Sequence, residues 1–143
     1  MKKLNLNVFF VALLAIAALS SCMNLEKILP KNTGTWEVVT DRTATYEDET
    51  LVSDSTTTYS GEVTYQFNED GSGVFTEDGQ TTNFTWSHNE EAEQLTITED
   101  GLAIVLDVLS YTRDTMTLFY TFDFDFFGVV FKTETTLNLK RVE

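Results

Sequence analysis

From Gly34 onward, apolar and polar residues alternate with a period of two along nearly the whole chain. The longest run is Met116, Leu118, Tyr120, Phe122, Phe124 and Phe126, with Thr117, Phe119, Thr121, Asp123 and Asp125 interleaved. Shorter runs are Val63-x-Tyr65-x-Phe67, Phe84-x-Trp86, Leu95-x-Ile97 and Leu137-x-Leu139. Successive side chains of a strand point to opposite faces, so this pattern predicts half-buried strands. Past Pro30 no window carries the apolar spacing of an amphipathic helix. The abundant threonines and phenylalanines suit pleated surfaces for the same reason.

Turn signals separate the runs. Glu-Asp-Gly occurs at 69–71, 77–79 and 99–101. Asp-Gly between alternating runs is a hairpin signal, because glycine accepts positive φ and aspartate bonds its own backbone. None of these acidic loops has the spaced carboxylate series of a calcium loop, and 68–73 reads as a hairpin loop. The predicted strands run near 34–42, 56–68, 72–77, 81–88, 93–99, 102–109, 114–125 and 129–141. The stretch 43–58 either extends the first two strands or forms a long acidic loop. Short links impose antiparallel neighbours, since parallel pairs need long crossovers. The expected fold is therefore all-β, an antiparallel meander of about eight strands closing into a barrel, which removes exposed edges. A β-sandwich is the alternative. Its immunoglobulin form needs two cysteines flanking a tryptophan, and the chain has one cysteine.

That cysteine, Cys22, follows Lys2 and Lys3, the apolar run Val8–Leu19 and the small residues Ser20 and Ser21. This is the layout of a secretory signal, and the apolar run falls short of the about 20 residues that span a bilayer. Leu19-Ser20-Ser21-Cys22 resembles the lipobox of bacterial lipoproteins. The resemblance implies cleavage before Cys22 and lipid on its thiol and new amine. Two or more acyl chains anchor a protein stably. The expected organisation is a lipoprotein signal peptide at 1–21, a lipidated N-terminus and tether at 22–33, and a barrel domain at 34–143. Within the tether, Leu25, Ile28 and Leu29 suit one helical turn or a plug for the domain's end. Met23 is not the aspartate that, in enterobacterial lipoproteins, favours inner-membrane retention. Only Glu26 follows where a surface-export signal is acidic. The resemblance thus implies an outer-membrane anchor and favours its periplasmic face.

The formal net charge is −14. Nucleic-acid binding, which needs lysine and arginine against phosphates, does not fit this balance. Nor does a basic patch on anionic lipid. His88 is the single histidine, so a histidine–cysteine zinc set is impossible, and its position reads as a solvated strand end. No nucleophile elbow surrounds a serine and no glycine loop cradles phosphate, so neither catalytic residues, a metal nor a cofactor is assigned.

Gly34-x-Trp36 opens the first strand, and Arg141 shares a face with Leu137 and Leu139 in the last. This resembles the lipocalin superfamily, where Gly-x-Trp closes one barrel end and a C-terminal arginine packs across the tryptophan. The wider pattern of "YQFNEDGSGVF", "NFTWSHNEEAEQLTIT" and "DTMTLFY" is similar to bacterial lipocalin-like lipoprotein domains. The chain lacks the disulfide and C-terminal helix usual in lipocalins. The resemblance implies a barrel holding a small apolar ligand without catalysis. Tyr65, Phe67, Phe84, Trp86, Tyr120, Phe122 and Phe124 lie on candidate inward faces, where they either line a pocket or fill the barrel. In "FDFDFFGVVF" at 122–131, Gly128 marks a hairpin tip crowded with apolar side chains. An exposed tip suits a protein or membrane contact, and a folded one a lid. The rival expectation is accordingly an accessory lipoprotein with a filled barrel that docks on another envelope protein.

Overall fold

Hairpin turns set the architecture. The computed structural model describes residues 24–143, so the leader and Cys22 lie outside the described residues. Asp78-Gly79, Asp100-Gly101 and Phe127-Gly128 each place two consecutive residues at positive φ. That is the tight-turn geometry whose twist matches the strands it joins. Nine strands result: β1 (Thr35–Glu47), β2 (Thr50–Thr58), β3 (Val63–Phe67), β4 (Ser72–Glu77), β5 (Gln80–Asn89), β6 (Gln94–Glu99), β7 (Leu102–Tyr111), β8 (Thr115–Phe126) and β9 (Val129–Arg141). All pairs are antiparallel, in the order β2-β1-β3-β4-β5-β6-β7-β8-β9, and β1 also pairs with β9. Eight strands thus close into a barrel and β2 is the extra one. Closure excludes the sandwich.

The extra strand comes from the stretch that the pattern left ambiguous. Residues 43–47 prolong β1, and residues 50–58 fold back on it from Thr40 to Glu47. The predicted strand at 56–68 is broken at 59–62, where Gly61 takes φ 92° and the chain leaves β2 to enter β3. β3 then takes the place beside Thr35–Glu37. Beyond the barrel wall, the outer halves of β2, β1, β9 and β8 form a four-stranded extension. Every residue of β2 is exposed.

The other end is closed. Helix α1 (Leu25–Ile28) is one turn, with Asn24 as its N-cap accepting from the Glu26 amide at 2.9 Å. Leu25 and Leu29 are fully buried and join the barrel core. Trp36 is buried beside them, and its indole N–H donates to the Leu29 carbonyl at 3.0 Å. The Arg141 guanidinium lies 4.4 Å from the Trp36 ring centre. It donates to three backbone carbonyls: Ile28 at 2.7 Å, Lys31 at 2.6 Å and Arg113 at 2.7 Å. The Ile28 and Lys31 carbonyls also accept from the Lys31 and Gly34 amides, so the guanidinium adds a charged second donor where the helix ends. Gly34 is tied in by a different constraint. Its φ is 66°, and a Cβ there would sit 2.1 Å from the Phe67 carbonyl oxygen.

Above this plug runs a column of aromatics. Trp86 meets Phe67 at 5.6 Å, Phe67 meets Phe84 at 5.5 Å, and Phe84 meets Tyr65 at 6.1 Å, all edge-to-face. Gly73 makes the column possible, since any Cβ there would fall 2.2 Å from the Phe84 ring. The closed half of the barrel is packed solid by these rings and by Leu95, Met116 and Leu118.

Candidate functional site

Packing stops at the level of Tyr65 and Phe84. A cavity of about 190 Å³ begins there and runs to the open end. Phe84, Leu106 and Leu137 form part of its walls; Tyr65, Phe75 and Tyr120 stand higher, and Asp41, Glu77 and Glu99 ring the mouth. The volume is smaller than the about 300 Å³ at which small-molecule pockets usually begin.

Two local irregularities shape this mouth. The first is a β-bulge in β1 between Val38 and Thr40. A bulge adds one residue to one strand and reverses which face later side chains take. Val38 faces inward opposite Leu139, and after the bulge Asp41 faces inward opposite Leu137. Without it, Asp41 would point outward. The second is a split in the wall. β7 pairs with β8 only from Asp107 to Tyr111 against Met116 to Phe119. Past that point β7 continues on β6 while β8 continues on β9. Between them lies a cleft of about 700 Å³, lined by Leu102, Ile104, Val105, Tyr120 and Phe122 among others. Ile104 and Tyr120 line both the cavity and the cleft.

The electrostatics of the mouth are one-sided. Burial pushes the Tyr65 hydroxyl well above the usual phenol range, and the charges of Glu77, Asp41 and Glu99 add to the shift. Burial raises Tyr59 too, with Asp41 and Glu77 contributing. Neither the cavity nor the cleft is lined by a lysine, arginine or histidine. His88 sits far off on β5, opposite Leu95. Among the described residues no group of three or more acidic, histidine or cysteine side chains converges to hold a metal ion.

The aromatic candidates divide by height. Tyr65, Phe84 and Tyr120 line the cavity. Phe67 and Trp86 lie below it in the packed core, where the Trp86 indole donates to the Ser72 carbonyl at 3.0 Å. Phe122 borders the cleft. Phe124 stands on the extension, 44 % exposed, stacked on Phe131 at 5.1 Å. The hairpin tip does not fold over the mouth: Phe127 is 92 % exposed. Gly34, Trp36 and Arg141 meet at the closed end, at the opposite pole from the cavity. Phe75, Ile104, Leu106, Asp41, Glu77 and Glu99 also line the site and were not among the sequence candidates. Phe75 pairs with Tyr65 at 4.8 Å between ring centres and was legible from its place in the "GVF" strand. Asp41 was not, because the bulge that turns it inward leaves no mark in the alternation.

The outer face of the extension is satisfied within itself. Arg42 pairs with Asp54 at 2.6 Å and Lys132 with Glu134 at 2.6 Å. Tyr46 donates to Glu134 at 3.2 Å. These groups are open to solvent in whole or part, so the pairs fix side-chain direction more than they add stability.

No family model, curated protein or solved structure matches this chain.

Proposed function

We propose that this chain is a lipid-anchored, lipocalin-like barrel that binds a small apolar ligand non-covalently at its open end, without catalysis. Its anchor is lipid on Cys22, in the outer membrane of a bacterial envelope and on the periplasmic face. The observation that supports binding is the interior itself. The closed half is filled by a cluster of buried side chains, and the open half leaves a cavity that shares Ile104 and Tyr120 with a side cleft. Wells that are small, apolar and partly aromatic favour compact ligands with few polar groups. The cavity alone takes a compact molecule, and the cleft gives a longer one room to lie between β7 and β8.

Native mass spectrometry of the gently purified full chain tests this reading. The expected result is an additional mass that disappears on denaturation. A clean mass that stays unchanged after incubation with short-chain lipids and terpenoids overturns it.

A second reading has its own observation. Phe127 occupies φ 54° at the β8–β9 tip, fully in solvent, where asparagine or aspartate is the usual choice. Phe122, Phe124 and Phe126 continue from it as an exposed strip. Such an arrangement is unfavourable both for the backbone and for solvation, and suits a tip that docks on another envelope protein. A photocrosslinking residue at position 127 tests it. One discrete adduct in intact cells is expected, and its absence counts against docking.

A further inference from the structure

The sign of charge around the mouth goes further than shape. We propose that the mouth selects organic cations, taking a ligand whose apolar body sits against Phe75, Phe84 and Leu106 and whose positively charged head lies among Asp41, Glu77 and Glu99. This deepens the ligand-binding reading above and rests on it.

Three independent features converge on it. The carboxylates ring the mouth over an apolar floor, so a ligand with one apolar and one charged end keeps its charge at the wet rim. Tyr65, Tyr120 and Phe75 stand just below that ring, and aromatic faces attract cations that come within about 6 Å of their centres. The chain's own cations are kept away. Arg42 and Lys132 face outward in ion pairs with Asp54 and Glu134. The other described lysines and arginines, at 27, 31, 113, 140 and 141, belong to the closed end. An anionic head such as a fatty-acid carboxylate would meet three like charges with no partner. A bare metal ion is not the natural occupant either, because the carboxylates stand apart from one another and do not converge.

Three probes of equal chain length separate charge from apolar contact: hexyltrimethylammonium, hexanol and hexanoate. Each is titrated by calorimetry into the full chain held in lipid nanodiscs. The cation is expected to bind at least about tenfold more tightly than hexanoate, the size of effect that three solvent-facing charge contacts give. The preference should shrink as salt rises. In the D41N/E77Q/E99Q variant the cation should fall to the level of hexanol, while hexanol itself binds as before, which also shows that the variant is folded. Equal binding of all three probes overturns cation selection and leaves the apolar site standing. Binding of none overturns both readings. A cation preference that survives in the variant removes the rim carboxylates from the explanation and overturns the proposal.

Discussion

Tyr65 and Phe127 are each held where an isolated residue of their type would not choose to be, and each predicts something different. The Tyr65 hydroxyl keeps its proton to higher pH in the folded barrel than in the unfolded chain. A folded state that holds the extra proton loses stability as pH climbs past the ordinary phenol value of about 10. Tyr65→Phe is therefore expected to lag the parent at neutral pH by no more than a lost hydroxyl contact and to gain on it steadily above pH ~10. Urea unfolding at a series of pH values checks this, and a constant gap between the two proteins would sink it. Phe127 adopts left-handed backbone at a cost that asparagine avoids. Phe127→Asn should raise stability by about 0.5 to 1 kcal/mol, read as a higher urea midpoint with unchanged slope. A fall in stability would mean that the edge-to-face contact of its ring with Phe126, 4.7 Å between centres, outweighs the backbone gain. The contact of Arg141 with Trp36 was expected from the resemblance carried by Gly34-x-Trp36, and the alternation added only that Arg141 shares the inward face of Leu137 and Leu139. Asp41 was illegible because its orientation depends on one extra residue in β1.

Among elements, the contrast lies between the closed half and the extension. Arg141 joins β9 to α1 and to the β7–β8 turn through three carbonyls. Arg141→Ala removes three charge-assisted hydrogen bonds and the cover over Trp36, while the Ile28 and Lys31 carbonyls keep their backbone donors, and should cost about 3 kcal/mol by chemical denaturation. A loss below about 1 kcal/mol would show that water replaces the guanidinium. Hydrogen exchange should separate the same regions. Amides of β2 and of the β8–β9 tip sit on exposed backbone and should exchange by local opening, while those of β3 and the closed ends of β5 and β6 should exchange only with global unfolding. Uniform protection across β2 and β3 would contradict this division. Strand positions from 72 to 141 followed from alternation and turn residues. Residues 50–58 did not, because threonine, serine and aspartate give the two faces of a fully exposed strand nearly the same composition. Period-two reading needs one buried face to register at all.

At the scale of the molecule, closure followed from counting strands whose edges must be hidden, whereas the split between β7 and β8 depends on where pairing ends, which no local pattern encodes. Helix α1 begins three residues after Cys22 and is built into the closed pole. With lipid on Cys22, that pole rests on the anchoring bilayer. A fluorophore on Lys31→Cys should then be quenched by brominated lipids in a nanodisc, and one on Phe127→Cys should not. Equal quenching at both sites would discard this orientation. The six residues of β4, which run from the closed pole to the rim at Glu77, at about 3.3 Å each and tilted as barrel strands are, set the stand-off between that pole and the mouth at about 15 Å. So tethered, the mouth has no access to the leaflet that holds it. On the proposed ligand-binding reading it would then take what diffuses through the aqueous space above, as a collector of dissolved molecules rather than an extractor of lipids from its own membrane.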